Sequence, residues 1–428
     1  MSDERLHCTY LIESPIDIER AAELLASEQS IGSFVQVPGE TDDVLRRHGA
    51  RVEAVDRVED GALPSLATSL PGLARDIRTT RAVARVSFPV ENFAPNLASL
   101  FAILLGNLFE LQELTGIRLE DVELPASFSD RFPGPAFGVA GTRSLTGIPT
   151  GPIIGTIVKP KLGLPPEQIA ALVETLGDAG IDFIKDDECL TDPPSAPLAA
   201  RVAAVSRALD RVADRTGRKP MFAFNVSGES DDMRRSHDLV AAAGGTCIMV
   251  SLNACGPSAI GELRRHSTLP LHGHRAGWGM LTRHPSLGIS FTAYQKLWRH
   301  AGVDHLHVGG LQSKFFEEDA SVAASARSCL APLGRHAAVM PVFSSGQWGG
   351  QAPETFRQVG SDDLLYLAGG GILGHPLGAA AGVRALREAW EAAKLGIALD
   401  DHAATHPALA ASIQTFGQIR TRRGTGNG

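Results

Sequence analysis

Lys185-Asp186-Asp187-Glu188 places three acids directly behind a lysine, at the end of a short strand-like run that begins at Ile181. Side chains of a strand alternate between its faces, so Lys185 and Asp187 share one side. Glu188 joins them only where the strand ends or bulges. A cation beside two carboxylates at a strand end has the chemistry of an oxygen-ligand site for a hard metal such as Mg²⁺. A charge run opening a surface loop has the same composition, so residues elsewhere must decide. Lysine usage is the first of them. Only seven of the 40 basic Lys and Arg residues are lysines (Lys159, Lys161, Lys185, Lys219, Lys296, Lys314 and Lys394). Lysine, unlike arginine, loses its proton readily and can act as a base or take a covalent adduct.

The elements that must position these residues follow from length and pattern. A chain of 428 residues suits one large barrel plus a smaller domain. Hydrophobic content of 43% with 21% charged residues is ordinary for a globular protein, and a net charge of −8 argues against a nucleic-acid footprint. The N-terminus is polar, with no apolar signal core, and the most apolar run, Leu97 to Phe109, is too short to span a bilayer. Five scattered cysteines form no disulfide framework and fit a reducing cytoplasm.

Residues 1–140 read as an N-terminal α+β ferredoxin-like domain, with strands at 9–12, 32–37, 52–58, 84–90 and 117–124 and helices at 18–30 and 97–111. The Pro- and Gly-rich stretch 132–152 reads as a linker. From Ile153, eight apolar runs alternate with amphipathic helices. This predicts a (β/α)8 barrel over residues 141–400, with a C-terminal helix and tail over 401–428. An open doubly wound sheet is the alternative.

A barrel should collect polar residues at the C-terminal ends of its strands. They are there: Lys159-Pro160-Lys161, Lys185 to Glu188, Asn225, His272-Gly273-His274-Arg275, His305-Leu306-His307, Ser344-Ser345-Gly346 and Gly369-Gly370-Gly371, with Lys314 in the loop after strand six. Four of the seven lysines therefore fall on one face. Backbone amides at Ser345-Gly346 and Gly369-Gly370 can cradle a phosphate, although a glycine triplet also makes a plain tight turn. Arg275 and His307 can hold an anion. The paired histidines suit either zinc or a core position satisfied by backbone, the latter particularly for His272 and His305.

These motifs, in this order, resemble the RuBisCO large-chain family. Gly155-Thr156-Ile157-Val158-Lys159-Pro160-Lys161-Leu162-Gly163 and Asp182-Phe183-Ile184-Lys185-Asp186-Asp187-Glu188 carry most of the likeness. His274-Arg275, Asp304 to His307, Ser345-Gly346 and Gly369 to Gly371 follow in register. The resemblance implies that Lys185 is carbamylated by CO₂ and, with Asp187 and Glu188, holds one Mg²⁺ per active site. An ordinary lysine is only about 0.1% neutral near pH 7.4, a cost of roughly 4 kcal/mol, so the adduct needs a cation to stabilise it. It further implies that Lys159 is the proton-abstracting base, that Lys161 lies near the metal, that His274 is an acid/base or orienting group, and that Lys314 meets substrate from a mobile loop. Arg275, His307, Ser345, Gly346, Gly369 and Gly370 would bind substrate. Glu28 and Asn107 would reach a neighbouring copy's barrel, giving a homodimer with shared active sites.

The chain also departs from the carboxylase pattern. Ile157 replaces a substrate-contacting threonine, Ser33-Phe34 a threonine–tryptophan pair, Trp278 a histidine, and Gln347 a glycine whose replacement would intrude on the phosphate loop. Lost hydrogen-bond partners change substrate choice strongly, so the chain resembles a RuBisCO-like protein of the type IV group. The expected activity is enediolate chemistry on a phosphorylated β-keto sugar acid. The first choice is 3-oxo-isoapionate 4-phosphate transcarboxylase/hydrolase in D-apiose catabolism, and simple decarboxylation is second. Methylthioribulose-phosphate isomerisation, the related diketo-phosphate enolisation, and non-catalytic metabolite binding complete the set. Ile157, Phe34 and Trp278 would line a thioether pocket in the methylthio case.

Overall fold

The computed structural model describes residues 4–32, 37–70 and 77–424. They divide into two compact units, Met1–Pro133 with Gly277–Ala301, and Gly134–Ala276 with Gly302–Gly428. Strands are numbered along the chain.

The first unit is built on a mixed five-stranded sheet: β1 (Arg5–Ser14), β2 (Arg51–Ala62), β3 (Thr79–Pro89), β4 (Gly116–Glu123) and β10 (Leu287–Ile289), in the order β10-β4-β1-β3-β2. Leu6, Cys8, Tyr10 and Ile12 alternate onto one buried face of β1, as a half-covered antiparallel strand requires. The helix Ile18–Glu28 starts where the Asp17 carboxylate accepts from Arg20 N, and it buries Ile18, Ala21, Ala22 and Leu25. The expected helix over 97–111 is two pieces, Leu97–Leu104 and the single turn Asn107–Glu110. They part at Gly106, where a side-chain Cβ would lie 2.3 Å from Ala102 O. The expected strand over 32–37 falls mainly outside the described residues. Gly277–Ala301 is a departure the apolar pattern does not reveal, because its strand β10 has only three residues and pairs parallel with β4.

The second unit is a closed parallel barrel of β5 (Ile153–Ile157), β6 (Phe183–Lys185), β7 (Met221–Asn225), β8 (Cys247–Ser251), β9 (Leu271–His274), β11 (His305–Gly309), β12 (Met340–Phe343) and β13 (Leu365–Leu367). Pairing of Leu365 with Ile153 and Leu367 with Gly155 closes the ring and excludes the open sheet. Alternate residues point inward. Ile153, Phe183, Met221, Ala223, Cys247, Met249, Met340, Val342, Leu365 and Leu367 form one fully buried cluster. β9 and β11 place His272 and His305 in that interior instead, both 0% exposed. The expected linker over 132–152 contains a helix, Gly138–Thr146, because its Val139 side chain has the barrel core to pack against. Asp304 fixes its start, accepting from Phe137 N (2.6 Å) and Gly138 N (2.9 Å) while also holding Leu271 N (2.8 Å).

Glu13 in the first unit makes a sharp stability test. Only 1% exposed, it accepts from Ser65 N, Ser65 Oγ, Thr115 Oγ1 and Arg81 Nε at 2.6–2.7 Å. Burial alone would raise its pKa, but the Ser65 amide, Thr115 and Arg81 outweigh it and hold the carboxyl below its ordinary value. A depressed folded pKa contributes stability that is present above the unfolded value of about 4.3 and lost as pH falls through the folded one. Glu13→Gln should cost about 1–3 kcal/mol at pH 7 and lessen the acid-side decline, as read by urea denaturation at pH 7 and pH 4.

Candidate active site

With alternate residues facing inward, the last inward positions of the barrel strands converge at one end. β6 ends there with Lys185, which is 0% exposed, and Nζ donates to Asp186 O at 2.7 Å. Asp187 follows, also 0% exposed, and Glu188 enters the turn after it. Asp186 points the other way. Its carboxylate meets Arg201 Nη2 at 3.2 Å and Asn225 N at 3.0 Å, and Oδ1 has no hydrogen-bond partner. The run of three acids is thus one structural carboxylate and two that face the site.

The neighbouring strands bring cations to those two. Lys159 Nζ donates to Asp187 Oδ2. Lys161 Nζ lies 3.5 Å from Glu188 Oε1, and His274 Nε2 lies 3.6 Å from Glu188 Oε2. His274 Nδ1 accepts from Ala276 N at 3.2 Å, so in the neutral ring the proton sits on Nε2 and faces Glu188. Gly369 belongs to the group as well: a Cβ there would lie 3.8 Å from Lys159 Cε and 3.9 Å from Ile157 Cδ1.

The electrostatics suit a lysine that must be neutral to react. Burial lowers the Lys185 pKa to about 8, against the opposing pull of Glu188, Asp187 and Asp186. Roughly a fifth of such lysines would be neutral at pH 7.4, compared with about a thousandth of ordinary ones. Burial, helped by the Lys185 charge, also holds His274 well below its usual value. Burial works against the Glu188 carboxylate, yet Lys185, its own backbone amide, Lys161 and Lys159 keep it ionised. Lys161 is raised by Asp187 and then Glu188.

Whether these residues fit Mg²⁺ rests on the donor set. Ligand atoms of Asp187, Glu188 and Cys189 lie within 4.8 Å of one another. Burial and the Asp187 charge raise the Cys189 thiol, which leaves two carboxylates as the anionic donors. A carbamate on Lys185 would add a third oxygen donor, and an all-oxygen set suits a hard cation. The residues fit.

Other expected site residues divide. His307 Nε2 lies 2.8 Å from His272 Nε2, and its Nδ1 lies 3.1 Å from Ser344 Oγ. His272 reaches His305 (3.3 Å), and His305 reaches Thr142 Oγ1 (2.8 Å). These core histidines are therefore satisfied by one another and by a threonine, where backbone was expected, and their nitrogens do not gather round a zinc position. Arg275 pairs with Glu317 at 2.5 Å, both side chains 9% exposed, so an anion there must share the guanidinium with a carboxylate. Ser345 and Gly346 take φ of 77° and 78° in succession, strained for serine, and Gly346 has open space beside it. Gly369 and Gly370 open the one-turn helix Gly369–Leu373, not a tight turn, with nothing within 4 Å of a Cβ at Gly370.

Two expectations change. Gln347 does not intrude on the phosphate loop. It is 1% exposed, donates to Leu311 O (3.2 Å) and accepts from Tyr366 OH (3.1 Å), because its amide finds both partners inward. Trp278 is core of the first unit, 4.6 Å from the Tyr294 ring and 5.7 Å from Phe291, so it is committed to packing. Lys314 Nζ lies 5.4 Å from the centre of the Phe315 ring. Glu28 and Asn107 lie in the first unit, both exposed. Gln29, next to Glu28 in sequence, has its amide placed to donate to Ala102 O and Ile103 O and to accept from Asn107 N at 3.0 Å. Ser33 and Phe34 lie outside the described residues.

Sequence reasoning noted Asn225 only as a strand end. It is 0% exposed; Nδ2 donates to Asp187 O (3.1 Å) and Glu188 O (3.2 Å), while Oδ1 accepts from Ser227 N (3.1 Å) and Oγ (2.7 Å). A strand-final amide among apolar residues was the available signal. Residues that orient ligands typically affect activity 10–100-fold, so Asn225→Ala should lower turnover by about that much in a folded protein. A loss under threefold would dismiss the clamp.

The comparisons with known proteins agree with this geometry. Residues 138–416 match the ribulose bisphosphate carboxylase large chain, catalytic domain, and residues 1–128 match its N-terminal domain. A Xanthobacter autotrophicus protein named 3-oxo-isoapionate-4-phosphate transcarboxylase/hydrolase is 54% identical over 413 residues, covering 96% of this chain and 99% of that one. A Rhizobium etli 3-oxo-isoapionate-4-phosphate decarboxylase is 47% identical over 412 residues, 95% and 98% of the two chains. The crystal structure of a rubisco-like protein from Burkholderia fungorum superposes with a TM-score of 0.90 at 46% identity, covering 97% of this chain and 100% of the other. Matched over both units and nearly end to end, the chain belongs to the ribulose bisphosphate carboxylase large-chain family.

Proposed function

We propose that this chain is a Mg²⁺-dependent 3-oxo-isoapionate 4-phosphate transcarboxylase/hydrolase, converting a phosphorylated β-keto sugar acid to 3-phosphoglycerate and glycolate. The observation that carries the reading is the intact group around Lys185: Lys159, Lys161, Asp187, Glu188 and His274 all converge on it. Identity above one half to a relative of that name supports this substrate. Mg²⁺, held by a Lys185 carbamate with Asp187 and Glu188, would supply Lewis acidity at the substrate's keto oxygen.

The chain's own residues do the rest. A β-keto acid loses CO₂ when the electron pair of the breaking C–C bond enters the adjacent carbonyl, leaving an enediolate. No C–H proton leaves in that step, so Lys159, beside Asp187, would act by moving the proton between the two enediolate oxygens and, in the decarboxylase reading, by delivering it to carbon. His274 presents Nε2–H on the same side and serves as the second proton donor. Lys161 offsets charge on Glu188. The exposed Gly346 and Gly370, beside half-buried Ser345 and Gly369, support phosphate binding by backbone amides, with Arg275 sharing its guanidinium between substrate and Glu317. Capture of CO₂ at the other enediolate carbon followed by hydrolysis gives two acids, whereas protonation gives a ketose phosphate.

The decarboxylase reading is second, and the Rhizobium etli relative favours it. The methylthio readings lose Trp278, which is packed into an aromatic cluster. Non-catalytic binding would leave Lys159, Lys185, Asp187 and Glu188 without a role. Exposed Glu28 and Asn107, the latter held by Gln29, support a homodimer in which they serve the partner's barrel. Five free cysteines support a cytoplasmic setting.

Incubation with Mg²⁺, bicarbonate and 3-oxo-isoapionate 4-phosphate should yield two acids. One ketose phosphate plus CO₂ would establish the decarboxylase, and no turnover would sink both. Lys185→Ala should abolish Mg²⁺-dependent activity, and retained activity removes the carbamate. Sedimentation equilibrium should show a dimer, and a fully active monomer would contradict the sharing of sites.

A further inference from the structure

Three groups that the proposed chemistry does not use, Thr142, His305 and His272, run through the barrel interior to His307, an expected substrate-binding residue, and the series ends at Ser344. The three histidines are 0%, 0% and 4% exposed. Their contacts form one continuous series: Thr142 Oγ1 to His305 Nε2 (2.8 Å), His305 Nδ1 to His272 Nδ1 (3.3 Å), His272 Nε2 to His307 Nε2 (2.8 Å), and His307 Nδ1 to Ser344 Oγ (3.1 Å). Every histidine uses both ring nitrogens within the series.

A neutral imidazole has one donor and one acceptor, so the series can run in only two directions. Thr142 decides between them. Its hydroxyl has a single proton and also contacts Gly138 O, a carbonyl that can only accept. If Thr142 donated to His305 instead, two bare oxygens would face each other. The hydroxyl therefore donates to Gly138 O and accepts from His305 Nε2–H. His305 Nδ1 must then accept from His272 Nδ1–H, and His272 Nε2 from His307 Nε2–H. His307 Nδ1 is left to accept from the Ser344 hydroxyl. Burial disfavours a cation at each ring, with the charge of Lys185 adding to it at His272 and His307, so the neutral scheme applies throughout.

We propose that Thr142, through His305 and His272, is a positioning residue that locks His307 in the Nε2–H tautomer with Nδ1 as an acceptor. The consequence bears on the substrate. The end of the series nearest the strand ends is a hydrogen-bond acceptor with its partner hydroxyl already used, so His307 offers an anion no N–H in the free protein. Of this end of the series only the Ser344 hydroxyl oxygen, which keeps a lone pair while donating to His307 Nδ1, is left to accept from a substrate hydroxyl. This consequence rests on the proposed active site, whereas the tautomer itself does not depend on activity.

The experiment is long-range ¹H–¹⁵N correlation on the full chain labelled with ¹⁵N histidine, with His307, His272 and His305 assigned by loss of signals in His307→Gln, His272→Gln and His305→Gln. The expected pattern is Nε2–H at His307, Nδ1–H at His272 and Nε2–H at His305. Nδ1–H or a cation at His307, or Nε2–H at His272, overturns the proposal. Thr142→Val should convert His307 to a mixture of tautomers, and Thr142→Ser should restore the single one. An unchanged His307 signal in a folded Thr142→Val protein overturns the role of Thr142. Because the wild-type pattern is diagnostic alone, misfolding of the valine variant leaves the tautomer assignment testable.

Discussion

The structure depends on one lysine held out of water. Lys185 has no exposed surface, and a cation there is stable only because Asp187 and Glu188 stand beside it and the Asp186 carbonyl accepts from it. Burial and the neighbouring charges oppose one another. Burial moves the amine toward the neutral, nucleophilic form, while the carboxylates pull back toward the ion. The result is a lysine poised near pH 8, which neither a surface lysine nor a fully ion-paired one would be. Much of the surrounding polar structure serves that balance. Arg201 takes Asp186 away to the outer face, and Asn225 holds the carbonyls of Asp187 and Glu188.

The barrel separates support from chemistry along its axis. At the N-terminal ends of the strands, Asp182 and Asp304 accept backbone amides and arginines, joining strands to helices. The middle is apolar, from Ile153 round to Leu367, and gives a dry, close-packed floor. The C-terminal ends hold the lysines, carboxylates and histidines. The histidine series is the exception that crosses these layers. Only a fully paired polar network is tolerable at such depth, and here each ring nitrogen has a partner.

Several positions pack differently from what the carboxylase pattern would give. Ile157 lies against Gly369 and the core, so the end of β5 offers methyl groups where a hydroxyl would otherwise stand. Gln347 is drawn inward by Leu311 O and Tyr366, leaving the loop backbone at Ser345 and Gly346 open. That loop remains available to an anion despite the larger side chain. Arg275 beside Glu317 presents a partly neutralised guanidinium, which suits recognition by shape and sharing more than by net charge.

Much of this was legible in the sequence. Eight apolar runs separated by amphipathic helices specify a parallel barrel, since strands buried on both faces must be continuous in hydrophobicity. Alternation alone places Lys185 and Asp187 on one side, and scarcity of lysine singles out Lys159 and Lys161. Tertiary structure decided what depends on partners distant in sequence. Asp186 looks like its neighbours until Arg201 and Asn225 claim it. Gln347 and Trp278 change meaning with the groups that pack against them. The helix at Gly138–Thr146 exists because a core lies beside it, and the three-residue strand β10 because β4 does. Local pattern sets which face a side chain occupies, whereas hydrogen-bond direction and burial depend on residues that only folding brings together. For that reason the centre at Lys185 could be read once the other strand-end lysines and motifs were set beside it, and the orientation of His307 could not be read without Thr142.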